Sequence, residues 1–237
     1  MIVRLNPFNS AETPACRVSS NLPIVIKPED VSSRSVGAIS DEIIQRMIRE
    51  ENLEIVGIST AITSACIAII KARELANVYV ANAALDYIEL PVIGRLEAIF
   101  VALSRRPPAK TTEAMIQELD APLNVTFTPL GQAIAVPRQE KAERILTITL
   151  SKLRHFGKVK VMAAGAAIGS AVSVALWTSK SGIAKETIGI EYVGLTSVAS
   201  KLQPESSVPA LAIYLTKGLE TRIDSVHDEV RGKLTER

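Results

Sequence analysis

The feature that most constrains this chain is an internal repeat. Residues 59–70 read STAITSACIAII and residues 165–176 read GAAIGSAVSVAL, with four identical positions at an offset of 106. Strand-like runs precede and follow both copies in the same order. Several blocks repeated in one order indicate the duplication of a unit of about 80 residues, whereas one shared hexamer could arise by chance. We therefore expect two copies of one small unit.

The apolar periodicity of each copy predicts the order of its elements. Residues 62–70 and 168–176 place apolar side chains at i, i+4, i+7 and i+8, which is typical of a helix with one buried face. The upstream segments 38–51 and 139–156 show a similar helical spacing, and Gly157 is well placed to end the second of these. Short strand-like runs flank these helices. The unit reads β-α-β-α-β-β, and the expected fold class is α+β in two layers.

The composition excludes several classes of protein. The chain has 237 residues, is 47% hydrophobic and carries a formal net charge of +2, which argues against intrinsic disorder. No apolar run approaches the roughly 20 residues that a membrane span needs. Pro7, Asn9 and Glu12 stand where a secretory signal would be apolar. We therefore expect no membrane insertion and a cytoplasmic location.

The sequence carries no recognisable catalytic pattern. His155, His227, Cys16 and Cys66 are not spaced like zinc ligands, and two cysteines do not suggest a disulfide framework. The patterns GxSxG, HExxH, GxGxxG and the Walker loop are absent. The expectation is a non-enzymatic protein without cofactor or metal.

The order of elements and the segment KVKVMAAGAAIGSAV at 158–172 resemble the Alba superfamily of archaeal chromatin-coating and RNA-binding proteins. The resemblance is closest over 133–217 and weaker over 24–103. Because family members usually form two-fold dimers, two tandem units imply an intramolecular pseudo-dimer. The implied domains are an N-terminal extension (1–22), an Alba-like unit (23–103), a linker (104–122), a second Alba-like unit (123–217) and a C-terminal helix (218–237).

The resemblance implies sequence-independent binding to the backbone of DNA or structured RNA. Nucleic-acid-binding members carry Lys and Arg at the second strand–helix junction, but this chain has Met162, Ala164 and Ala166 there. Because Lys and Arg contacts to phosphate supply most non-specific affinity, we expect weak binding. A second basic position of the family, at the start of the first helix, matches Arg34 and Arg138 at an offset of 104.

The charges are distributed unevenly between the copies. Residues 138–160 hold seven Lys and Arg against two Glu, whereas residues 28–54 hold seven acidic residues against three Arg. Phe156 is the only aromatic residue in the basic segment, so base stacking is not expected there. The candidate nucleic-acid-binding residues are Arg34, Arg138, Lys141, Arg144, Lys152 and, in the hairpin between the last two strands, Lys201.

The same sequence features also fit a second hypothesis about function. Neutral junctions and a small net charge also fit an interaction or scaffold protein that keeps the Alba fold and has lost nucleic-acid binding, since a basic helix face is often simply solvated. The tail from Leu219 to Leu234 repeats apolar residues at steps of three and four, which predicts a helix over most of 219–231. That helix would dock on its own domain, on a second copy or on a protein partner.

Overall fold

A computed structural model describes residues 22–90, 93–107, 133–181, 187–199 and 207–218 of the chain. These residues form two four-stranded sheets and five α-helices, which confirms the α+β class expected from the sequence. The tail over 219–237 and the candidate residue Lys201 lie outside the described residues.

The first sheet and its helices lie between Ile24 and Ser104. Strand β2 runs into α3 through a single 3-10 turn at Ser59–Ala61. In chain order, the elements are β1 (Ile24–Ile26), α1 (Pro28–Ser33), α2 (Val36–Arg49), β2 (Asn52–Ile58), α3 (Ile62–Ala76), β3 (Tyr79–Leu90) and β4 (Gly94–Ser104).

The second sheet and its helices lie between Ala133 and Lys217. A 3-10 turn at Gly165–Ala167 again joins the second strand to the second long helix. In chain order, the elements are β5 (Ala133–Ala135), α4 (Ala142–Phe156), β6 (Lys158–Ala164), α5 (Ile168–Ser181), β7 (Ile188–Ala199) and β8 (Ser207–Lys217).

Local sequence explains where the two predicted upstream helices begin and end. The Ser35 hydroxyl accepts a hydrogen bond from the Ala38 amide at 3.1 Å and caps α2, which starts two residues before its predicted position. Lys141 is still extended, so α4 starts three residues later than predicted. Gly157 ends α4 with φ +74°, a conformation that glycine adopts without steric cost.

The two sheets have the same topology. Their strand orders are β1-β2-β4-β3 and β5-β6-β8-β7, and only the pairs β1–β2 and β5–β6 are parallel. Both β3 and β7 contain a register shift, one between Val80 and Asn82 and the other between Ile190 and Tyr192. The corresponding strands therefore match at an offset of 110. The sequence match of 85–90 with 190–195, at an offset of 105, is wrong.

One face of each sheet packs against the helices of its own unit. Most buried side chains of both units form one continuous hydrophobic cluster that includes Ile55, Ile69, Val161 and Val172, and a smaller group around Val56 and Phe100 is separate from it. Cys66 is fully buried in this cluster, as its position in the apolar repeat predicts. Burial raises the pKa of its thiol to about 12, so this cysteine is inert in the folded protein.

The two units contact one another through α3 and α5 and through the edge strands β3 and β7. A guanidinium nitrogen of Arg73 on α3 donates a hydrogen bond to the carbonyl of Leu195 on β7 at 3.1 Å. A second hydrogen bond has its donor in the second unit: the Ser173 hydroxyl on α5 donates to a carboxylate oxygen of Glu97 on β4 at 2.5 Å. Polar contacts thus connect each unit to the other around a shared apolar core.

Candidate nucleic-acid interface

Two exposed cations lie in the turn that leads from β5 into α4. The amide of Val136 donates to the carbonyl of Met162 at 2.8 Å and holds the chain at the edge of the second sheet. Arg138 and Lys141 follow, and both side chains are exposed. Within the described ranges, neither has a carboxylate within ion-pair distance. Their charges lie at the N-terminal end of α4, where the helix dipole disfavours cations. Helix stability therefore does not explain their position.

Arg144 lies one turn further along α4 and is partly neutralised. Its guanidinium is 3.2 Å from a carboxylate oxygen of Glu140, although the Arg144 side chain remains 71% exposed. An exposed pair of this kind contributes less than about 1 kcal/mol, so a phosphate can compete for the arginine. We call Arg138, Lys141 and Arg144 the α4 cation cluster.

Lys152 lies two turns beyond the α4 cation cluster and points toward the edge of the sheet. Its ammonium donates a hydrogen bond of 3.4 Å to the carbonyl of Ala133 on β5. Ile148, which is 37% exposed, lies between Arg144 and Lys152 along the helix. The candidate residues Arg144 and Lys152 therefore both lie on α4, but an apolar side chain separates them.

Arg34 occupies a different environment from Arg138. It lies between α1 and α2, and its guanidinium forms an ion pair of 2.5 Å with Glu42. Ile39 on the buried face of α2 corresponds to Ile145 on the buried face of α4, which is an offset of 106. The sequence pattern alone matches the two arginines at an offset of 104. Arg34 therefore corresponds to Glu140, and the predicted equivalence of the two arginines is not found. The structure brings Arg138, Lys141 and Arg144 together and leaves Arg34 on the other unit.

The two strand–helix junctions have the same backbone. Ser59 and Gly165 begin the two 3-10 turns with φ of +53° and +54°, and they occupy equivalent positions at the repeat offset of 106. No lysine or arginine lies in either turn. The junctions therefore resemble one another in shape, and neither offers a cation for phosphate.

The sequence pattern does not indicate a group of aromatic and basic side chains that lies on the second sheet. Lys160, Tyr214 and Tyr192 lie side by side on β6, β8 and β7. We call these three residues the tyrosine row. Alternation along β6 places Lys158, Lys160 and Met162 on one face, but nothing local indicates which strands pair with it. Only the pairing of distant strands brings the tyrosines to Lys160.

A further pair of cations lies against Tyr87 where the two units meet. The Lys180 ammonium is 3.8 Å from the ring centroid and the Arg95 guanidinium carbon is 4.3 Å from it. Burial and the nearby Arg95 charge lower the pKa of Lys180. Lys180 belongs to the second unit and Tyr87 to the first, so this cluster contributes to the contact between units.

Comparison with protein-family models finds no matching family, and comparison with curated proteins finds no matching sequence. Within the described ranges, no three His, Cys, Asp or Glu side chains are grouped so that they could hold a metal ion. Over the same part of the chain, no helix combines the length and apolar character needed to span a membrane.

Proposed function

We propose that the chain is a sequence-independent nucleic-acid-binding protein of Alba type, located in the cytoplasm, whose two units form an intramolecular pseudo-dimer. The observation that carries this proposal is the exposure of Arg138 and Lys141 at the N-terminal end of α4. Two cations at this end oppose the helix dipole, and a phosphate backbone offsets that cost. Phosphate is also the ligand that exposed Lys and Arg bind without regard to sequence.

The contact between Thr63 and Gly169 supports the pseudo-dimer. Each is the second residue of its helix, α3 or α5, and the two positions are equivalent at the repeat offset of 106. A Cβ atom added at Gly169 would lie 3.7 Å from Thr63 Oγ1. Contact between equivalent positions is typical of an interface with two-fold geometry. The shared strand order of the two sheets also supports the pseudo-dimer.

The expected affinity is low because few cations are available. Glu140 and Glu42 compete for Arg144 and Arg34, respectively. With Arg138, Lys141 and Lys152 as the main phosphate contacts, the logarithm of the binding constant should fall with the logarithm of salt concentration with a slope of about −3. Binding should therefore be measurable at low ionic strength and weak at physiological salt.

A charge-reversal experiment tests the site. Fluorescence anisotropy with a generic DNA duplex and a structured RNA hairpin is measured at low ionic strength for the wild type and for Arg138→Glu/Lys141→Glu. The double variant should lose binding and have a flatter salt slope. The matched control is Arg49→Glu/Lys71→Glu, which makes the same charge change at exposed positions of the first unit. Equal binding by the wild type and the Arg138/Lys141 variant would contradict the site.

The alternative is a scaffold or interaction protein that keeps the Alba fold without binding nucleic acid. The acidic segment 28–54 and the pairing of Arg34 with Glu42 favour this alternative, since they leave this part of the first unit with an excess of negative charge. Its partner would be another protein or a second copy of the chain. A wild type that binds neither duplex nor hairpin at low ionic strength would support the alternative and exclude our proposal.

A further inference from the structure

The tyrosine row lies on the face of the second sheet that is turned away from α4 and α5. Along β6, Val159 and Val161 are buried in the core, so Lys160 between them points to the opposite face. Lys160 pairs with Tyr214, and Tyr214 pairs with Tyr192 in the next strand. All three residues are partly buried, and none of them is fully enclosed.

The Tyr214 ring, in the middle of the row, interacts with both of the other side chains. The ring centroids of Tyr192 and Tyr214 are 5.8 Å apart with an interplanar angle of 60°. The Lys160 ammonium lies 5.2 Å from the centroid of Tyr214. Burial, with a smaller contribution from Tyr214, raises the pKa of Tyr192, so its phenol stays neutral and can donate a hydrogen bond. The row therefore combines two aromatic faces with a cation.

Among the described residues, the side chains around the tyrosine row leave it open to a ligand. The nearest carboxylate on this sheet, Glu191, is engaged by the Lys158 ammonium at 3.3 Å and by the hydroxyl of Thr216. Small exposed residues occupy neighbouring positions, namely Ala133, Ala135 and Ala164. Because the methyl group of alanine is much shorter than a tyrosine side chain, these positions leave room for a flat ligand on the rings.

The tyrosine row is continuous with the basic face of α4. Ala133 on the edge strand β5 pairs with Lys160, which places it at the end of the row. The Ala133 carbonyl accepts the hydrogen bond from Lys152 on α4. A chain of phosphates that crosses the edge strand would therefore pass from Lys152 to Lys160.

The first sheet has a different chemistry at the same positions. Strand pairing places Glu54, Ala102 and Asn82 where the second sheet has Lys160, Tyr214 and Tyr192. Beside them, an apolar group that includes Val56 and Phe100 is buried. Within the described residues, the combination of aromatic rings and a lysine on the outer face thus belongs to the second sheet alone.

We propose that the tyrosine row binds unpaired bases of single-stranded DNA or RNA, with Lys160 on the adjoining phosphate. This inference rests on the proposed function and names its preferred ligand. Aromatic rings stack on the faces of all bases, whereas the bases of a duplex present only their edges. A cation–π contact at 5.2 Å is near the outer limit of about 6 Å, so Lys160 can move toward a phosphate at little cost.

The test compares single strands with a duplex in the full-length protein. Labelled 12-nucleotide oligo-dT and oligo-rU and a 12-base-pair duplex are titrated against the wild type, Tyr192→Leu/Tyr214→Leu and Tyr192→Phe/Tyr214→Phe. Leucine removes the ring and phenylalanine keeps it. The leucine variant should bind both single strands at least about tenfold more weakly, and the phenylalanine variant should bind within about threefold of wild type. Duplex binding should change by less than about twofold in both variants.

The controls separate this inference from the proposed function. Asn82→Leu/Ala102→Leu alters the equivalent positions of the first sheet and should leave single-strand binding unchanged. If the double leucine variant fails to fold, as judged by circular dichroism, the single variants Tyr192→Leu and Tyr214→Leu replace it. Single-strand binding that survives loss of the rings, or duplex binding without single-strand binding, would overturn the inference alone. A wild type that binds no nucleic acid would overturn both proposals.

Discussion

Thr63 and Gly169 occupy the same position in the two repeats, and they face each other across the contact between α3 and α5. A Cβ atom added at Gly169 would lie 3.7 Å from Thr63 Oγ1, an ordinary van der Waals distance. Because both are second residues of their helices, the N-terminal ends of α3 and α5 lie side by side. The two repeats therefore share their strand order, and they also contact each other through equivalent positions.

Alanine should be tolerated at Gly169 and not at Gly57. Alanine at Gly169 meets only ordinary contacts, and its higher helix propensity should stabilise the protein by up to about 1 kcal/mol. A Cβ at Gly57 would lie 2.7 Å from the Cβ of Ala65 and 3.3 Å from the Cα of Ile62, which should cost about 1–3 kcal/mol. Urea unfolding of both variants measures the difference. Equal destabilisation of the two would contradict the described packing.

The junction turns predict a second pair of opposite effects. Ser59 has φ +53°, where a side chain costs about 1–2 kcal/mol, so Ser59→Gly should raise the free energy of unfolding by about 1 kcal/mol. Gly165→Ala should lower it by a similar amount or more, because its Cβ would also lie 3.2 Å from Val208 Cγ1. Thermal and urea unfolding provide the measurement. A destabilised Ser59→Gly variant would indicate that the hydroxyl has a structural role.

Removing the carboxylate that neutralises Arg144 should strengthen nucleic-acid binding. Glu140→Gln keeps the size of the side chain and releases the guanidinium to a phosphate. We expect tighter duplex binding at low salt and a salt slope steeper by about one. Glu42→Gln releases Arg34 in the same way and is the matched comparison, since it reports whether the first unit contributes. Unchanged binding by Glu140→Gln would place Arg144 outside the interface.

The buried thiol of Cys66 should make stability fall at alkaline pH. Its pKa is raised from 9.0 to about 12 in the folded protein, so between these values the unfolded chain loses a proton that the folded chain keeps. The free energy of unfolding should therefore be unaffected below pH 9 and lower by about 2 kcal/mol at pH 10.5. Cys66→Ala removes this contribution. The prediction fails if wild type and variant change equally between pH 8 and pH 10.5.

The sequence alone determined the number of units, the order of their main elements and the faces of their long helices, but it did not indicate the short helix α1 at Pro28–Ser33. These properties depend on nearby residues, because apolar residues recur at the helical period where one face of a helix is buried, as in 62–70 and 168–176. The duplication makes this pattern appear twice in the chain. The helices α2 and α4 consequently begin within three residues of their predicted positions. The exposed cluster before α4 could also be predicted, because it lies within a few residues of sequence.

Only the tertiary structure decided the strand register, the pairing of Lys158 with Glu191 and the tyrosine row. Register depends on contacts between distant segments, and a slip of one residue turns every side chain of a strand to the other face. The connection from α5 to β7 is four residues longer than that from α3 to β3, so these strands match at an offset of 110 rather than 106. Lys158 on β6 pairs with Glu191 on β7, although the two residues are 33 positions apart in the chain. Lys160, Tyr214 and Tyr192 converge because β6, β8 and β7 are neighbours in the sheet although they are far apart in the chain.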